Sequence, residues 1–317
     1  MEKQAFQKKT LNRLIIGLIL FAIAIPSIIF GDWFIVMFSI IGLLLAIKEL
    51  LAIKPETMFP LPIRWFVYGM SVVLVFWIFL YNNFQEAGFN LSAWGFDVGM
   101  VKLEIPTVFL TLFAGTLFFS AITDVRFKVQ DATFLISVVL LMALSFQGFL
   151  YLRFFPNNVM NERDNLLNSL LLIYVGIGTF MTDIGAYFVG SFFGKYKMNT
   201  RVSKNKTWEG FYGGVVLSFI SSFTFAFIAD ALGAPLLPFL GMEQWYFLLG
   251  LSIIIPLVST LGDFIFSIIK REFGVKHFST ILGEHGGILD RIDSFMMACL
   301  VSSLYLTVIY DWVLALQ

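Results

Sequence analysis

Ser259, Asp263 and Ser267 recur every four residues, and Lys270 and Arg271 follow three and four positions later. In a helix all five share one face. That face joins a carboxylate, two hydroxyls and two cations, while Phe264, Ile265, Phe266, Ile268 and Ile269 take the other positions. Further on, Asp290 and Asp293 lie one helical turn apart on either side of Arg291. Asp263, Asp290 and Asp293 carry the hard oxygen ligands that Mg²⁺ prefers. Lys270, Arg271, Lys276 and Arg291 carry the cations that phosphate oxygens prefer. Carboxylates set beside cations point to metal-assisted phosphoryl or nucleotidyl transfer. Plainer roles compete: Asp263 as half of a structural ion pair, and Asp293 as a cap that marks where a helix begins.

Three more features accompany this set. Gly286-Gly287 lets backbone approach a ligand with no Cβ in the way, and His285 beside it reads either as part of the site or as an ordinary interfacial histidine. Asp183 sits near the end of another apolar run, with Tyr187 one turn on. Between Lys195 and Lys206 the chain carries five cations and no acid, then Thr207, Trp208 and Glu209. The five cations suit a phosphate-binding loop, and equally suit a loop that stays on the cytoplasmic side of a membrane. Trp208 reads as an interfacial anchor.

The elements that must position these groups are membrane helices. The 317 residues are 59% hydrophobic and 13% charged, about half the charge of a soluble domain. The formal net charge is zero, which gives no basic balance for nucleic-acid binding. The single cysteine, Cys299, excludes a disulfide within the chain. An apolar stretch of about 20 residues crosses a bilayer, and on that rule nine spans are expected, within a range of eight to ten. They lie near 12–30, 33–47, 65–82, 104–122, 132–152, 166–190, 210–230, 245–269 and 294–314. The first resembles a signal peptide, with Lys8, Lys9 and Arg13 before Ala22-Ile23-Ala24, but the apolar run continues to Phe30 and is read as a span. With the N-terminus cytoplasmic, 18 Lys and Arg residues fall on that side and only Lys102, Arg153 and Arg163 on the other. The expected fold is thus an all-α polytopic membrane protein forming a single domain, 1–317. Its less specific helices occupy 1–165 and the chemistry-bearing part 166–317.

The motif Ser259, Gly262-Asp263, Ser267, Lys270-Arg271, Lys276, His285-Gly286-Gly287, Asp290-Arg291, Asp293-Ser294 resembles the signature of the phosphatidate cytidylyltransferases, or CDP-diacylglycerol synthases. "DIGAYFVGSFFGK" from Asp183 and "SKNKTWEG" from Ser203 resemble two further blocks of that family, in the same order. The resemblance covers roughly residues 180–295. It implies an enzyme of phospholipid biosynthesis that joins CTP to phosphatidic acid, giving CDP-diacylglycerol and pyrophosphate. It also implies Mg²⁺, and in some members a second, monovalent cation such as K⁺. Carried over by position, Asp263 and Asp290 are metal ligands with Ser267 and Asp293 close by, and Lys270, Arg271 and Arg291 hold phosphates. His285 joins the catalytic set, while Asp183, Lys206, Thr207, Lys276, Gly286 and Gly287 contribute to the nucleotide and lipid-phosphate pocket.

Three positions depart from the family pattern: Lys276-His277 for Lys-Asp, Gly283-Glu284 for Pro-Gly, and Ser203-Lys204 for Ser-Pro. These bear on substrate preference and rate and leave the aspartate pair intact. The implied location is an integral membrane protein with its site at the cytoplasmic face, the plasma membrane if the source is bacterial. A homodimer is one open arrangement. Rival readings are a membrane enzyme acting on another lipid or polyprenyl phosphate, a lapsed enzyme, and an ion-coupled transporter built on Asp263 and Asp183.

Overall fold

Lipid offers backbone N–H and C=O groups no partners, so a chain this apolar satisfies them within helices. The structure, a computed structural model, describes residues 22–54, 59–86, 96–98, 101–103, 105–160, 165–281 and 286–316. After helical residues 22–30 come α1 (Asp32–Ala52), α2 (Leu61–Glu86), α3 (Ile105–Thr123) and α4 (Val129–Met160). The second half contains α5 (Asn165–Phe193), α6 (Trp208–Ala231), α7 (Gln244–Glu272) and α8 (Leu289–Leu316). Six of the described helices are long and apolar enough to cross a membrane, and shorter apolar stretches occupy Leu61–Phe76 and Thr107–Thr123. The protein is an all-α integral membrane protein.

The expected spans fall on these helices, with differences that have local causes. The break between the first two lies at Gly31, where φ is 65°. That is left-handed backbone that glycine adopts without strain, so one residue suffices to redirect the chain into α1. Residues 12–21 of the first expected span lie outside the described residues. The last helix begins at Leu289 and not near 294, because the polar stretch Asp290–Ser294 forms its first turns. Two short antiparallel pairs were not expected. One is β1 (Phe96–Val98) with β2 (Val101–Leu103), the other β3 (Lys197–Asn199) with β4 (Ser203–Thr207).

Close packing in lipid relies on small residues that let backbones approach, and α5 meets α6 in this way. A Cβ on Gly214 would stand 2.6 Å from the Thr182 carbonyl, and one on Gly210 2.7 Å from that of Ala186. Helix α8 is the shared neighbour of α4, α5 and α7 and also touches α1. Gly148 of α4 admits its backbone, since a Cβ there would be 2.8 Å from the Cys299 carbonyl. Phe149 and Phe295 then meet edge to face at 6.1 Å.

Ion pairs bring the basic segments to one end of the bundle. Lys54, just after α1, pairs with Asp131 in the first turn of α4. Lys206 on β4 pairs with Asp263 on α7, and Lys270 at the end of α7 pairs with Asp290 at the start of α8. The end of α5, the β3–β4 hairpin, the start of α6, the end of α7 and the start of α8 therefore share a single region.

Candidate active site

The polar stripe on α7 is real, and it divides along its length. Ser259 is fully buried and Lys270 nearly so. Asp263 is partly exposed, and the Ser267 hydroxyl donates to its Oδ1 at 3.3 Å. Arg271 leaves the stripe: its Nε donates to the Val202 carbonyl at 3.3 Å and its Nη1 to that of Val275 at 3.2 Å. It pins the tip of the β3–β4 hairpin against the end of α7.

The hairpin in turn delivers Lys206, whose Nζ pairs with Asp263 and lies 4.4 Å from the Phe264 ring centre. Its anchorage is local. Thr207, expected in the nucleotide pocket, is the N-cap of α6, its hydroxyl accepting from Gly210 N at 3.2 Å. Both Glu209 carboxylate oxygens accept from Tyr196 N at 3.2 Å. Trp208 N donates to the Tyr196 carbonyl at 2.9 Å, and the indole is half-exposed, as an interfacial anchor would be.

At the start of α8, Asp290 is a junction. Its Oδ1 accepts from Lys270 Nζ at 2.7 Å, and its Oδ2 accepts from Phe278 N and Gly287 N at 3.0 Å each. His277 Nδ1 stands 3.7 Å from the same oxygen. Gly286 has φ 80°, and a Cβ there would fall 2.7 Å from Asp290 Oδ2, so the glycine requirement is both conformational and steric. Asp293 is 5% exposed, its Oδ1 accepting from Ser294 N at 2.7 Å. Asp183 and Asp293 both lie within electrostatic reach of Asp263, with Lys206 and Arg291 also near Asp183 and Lys270 near Asp293. Four aspartates and three cations from α5, β4, α7 and α8 thus form one charged neighbourhood. Lys276 is exposed beside it, and His285 lies outside the described residues.

The donor set suits a hard divalent cation, being carboxylate oxygen throughout. It is not assembled as a ligand cluster: among the described residues no three His, Cys, Asp or Glu side chains converge as metal ligands. Lysine ammonium groups occupy Asp263 and Asp290 instead. The fit is therefore one of chemistry.

One residue of this region has no counterpart in the sequence reading. Glu49, near the end of α1, is 1% exposed. Its Oε1 accepts from Ser279 Oγ at 2.7 Å and Ile288 N at 2.8 Å, and its Oε2 from Leu289 N at 2.8 Å. A Cβ on Gly287 would strike this carboxylate. Glu49 follows Lys48 at the end of an apolar run, and no spacing ties it to the motif residues.

Comparison with known proteins identifies the family. The model of the cytidylyltransferase family matches residues 11–309. A phosphatidate cytidylyltransferase of Staphylococcus haemolyticus (strain JCSC1435) is 30% identical over 284 residues, covering 90% of this chain and 94% of the relative. The enzyme of that name from Staphylococcus aureus (strain COL) is 32% identical over 282 residues, covering 89% and 92%. The match runs through the N-terminal helices as well as the motif region, and with the charged neighbourhood at the helix ends it leads to one conclusion: the chain belongs to the cytidylyltransferase family and is a membrane-embedded nucleotidyltransferase.

Proposed function

We propose that this enzyme transfers the cytidylyl group of CTP to phosphatidate, giving CDP-diacylglycerol and pyrophosphate. The observation that carries this reading is the meeting of Asp263, Lys206, Asp183 and Asp293 where four segments end together at one edge of an apolar bundle. A triphosphate and a lipid phosphate both need cations, and the lipid also needs its acyl chains left in the bilayer. A site at the helix ends meets both demands. The 18-to-3 division of Lys and Arg supports the cytoplasmic side as the one the site faces.

In this mechanism a phosphate oxygen of phosphatidate, already anionic near neutral pH, attacks the α-phosphorus of CTP. The P–O bond to the β-phosphate breaks, and pyrophosphate departs with that electron pair. No strong base is required, so positioning and charge neutralisation supply most of the rate. Lys206, released from Asp263, and Lys270, released from Asp290, turn to phosphate oxygens, joined by Arg291. Arg271 acts indirectly by holding the hairpin over the site. Asp263, Asp290 and Asp293 would hold Mg²⁺, which when bound neutralises triphosphate charge and raises the electrophilicity of the α-phosphorus.

The test uses detergent-purified protein with labelled CTP, phosphatidate and Mg²⁺, beside Asp263→Asn. Lipid-soluble label and pyrophosphate should appear in equal amounts and vanish in the variant and in EDTA. Label entering a polyprenyl or other lipid phosphate in preference to phosphatidate would overturn the assignment of acceptor.

A further inference from the structure

The start of α8 is capped from a distance. A helix leaves its first N–H groups without internal partners, and a Ser, Thr, Asp or Asn at the N-cap normally supplies an acceptor. Here the N-cap position is Ile288, whose carbonyl accepts from Arg291 N and Ile292 N but whose side chain accepts nothing. The N–H groups at and just before this start go to two carboxylates. Gly287 N–H donates to Asp290, while Ile288 N–H and Leu289 N–H donate to Glu49. Glu49 comes from α1, in the half of the chain that carries none of the motif. We infer that Glu49 is a positioning residue for the active site: it holds the first turn of α8, and with it Asp290, Arg291 and Asp293, at a fixed depth and rotation.

Three observations favour positioning over general support. The three hydrogen bonds of Glu49 all fall on the segment 279–289, which borders the charged neighbourhood. The rest of α8 is held by α4, α5 and α7 without it. The Cβ-less Gly287 leaves room for the carboxylate and for no larger residue. The turnover part of this inference rests on the cytidylyl-transfer reading.

The experiment compares full-length wild type, Glu49→Gln and Glu49→Ala, using two measurements. Hydrogen–deuterium exchange reports on the amides of 287–291 whatever the reaction is. Steady-state kinetics report on turnover. Glu49→Gln should accelerate exchange at 287–291 while leaving the α5–α6 pair and the thermal midpoint close to wild type. It should lower kcat about 10–100-fold with the KM for CTP little changed, the usual size of effect for removing a group that orients ligands through others. Glu49→Ala removes both acceptor oxygens where Gln keeps one, so its losses in both measurements should exceed those of Glu49→Gln. Unchanged exchange and kcat in Glu49→Gln would overturn the inference. So would loosening spread evenly over all helices, or a Glu49→Ala variant no worse than Glu49→Gln. A wild type that transfers no cytidylyl group would sink the proposed reaction instead, with the exchange data still deciding the role of Glu49.

Discussion

Lys270 Nζ lies 2.7 Å from Asp290 Oδ1, in a pair whose side chains are only 9% and 5% exposed. Taking two charges out of water is costly, and removing one partner strands the other. Lys270→Met should therefore destabilise the protein by about 3–5 kcal/mol, read as a fall in thermal midpoint in detergent. Lys270→Arg should keep most of the stability. A Lys270→Met variant as stable as wild type would show that the pair carries no structural weight.

The Lys206–Asp263 pair differs because both partners are partly exposed, and exposed pairs contribute little to stability. Its removal should be felt in binding. Lys206→Met should weaken CTP binding about tenfold, the effect of losing one charge-assisted contact of roughly 1.4 kcal/mol. The thermal midpoint should barely move. Equilibrium binding of labelled CTP checks this, and its salt dependence should flatten in the variant.

Gly286 and Gly274 offer a controlled comparison. Both have positive φ, 80° and 68°, so alanine strains the backbone at each by about 1–3 kcal/mol. A Cβ on Gly274 meets nothing within 4 Å, whereas one on Gly286 meets Asp290 and His277. Gly286→Ala should lower kcat about 100-fold by displacing Asp290, while Gly274→Ala should keep wild-type turnover at similar stability. Equal kinetic losses would assign the effect to strain alone.

Thr207 tests whether the hairpin block contacts substrate or builds structure. As N-cap of α6 its hydroxyl contributes about 1 kcal/mol. Thr207→Ala should lower the thermal midpoint and speed exchange at the start of α6, and Thr207→Ser should restore both. A KM change for CTP without any change in stability would return Thr207 to the nucleotide pocket.

Much of the fold was legible because hydropathy over 20 residues is a local property. The apolar runs at 166–190, 210–230 and 245–269 lie on α5, α6 and α7 to within a few residues. The stripe Ser259, Asp263, Ser267, Lys270 was legible for a related reason, helical spacing being readable in one dimension. Arg271 kept the spacing but not the direction, since a long side chain at a helix end is free to turn toward the hairpin carbonyl at Val202. The β3–β4 hairpin was hidden because its residues are chosen for charge more than for alternation. Glu49 was beyond reach altogether: its meaning depends on amides more than two hundred residues away.

That separation orders the protein's synthesis. Glu49 and Ile288 are 239 positions apart, and chains lengthen at about 5–20 residues per second. The acid thus enters the growing helical assembly roughly tens of seconds before its partners exist. Until α8 is made, the first helices carry a carboxylate without its amide partners, and Lys270 awaits Asp290. Glu49 acquires them from Ile288 and Leu289, and Lys270 acquires Asp290 from the same turn of the chain. Lys206 and Asp263 can pair before then, whereas the share of the site that Asp290, Arg291 and Asp293 supply waits for α8.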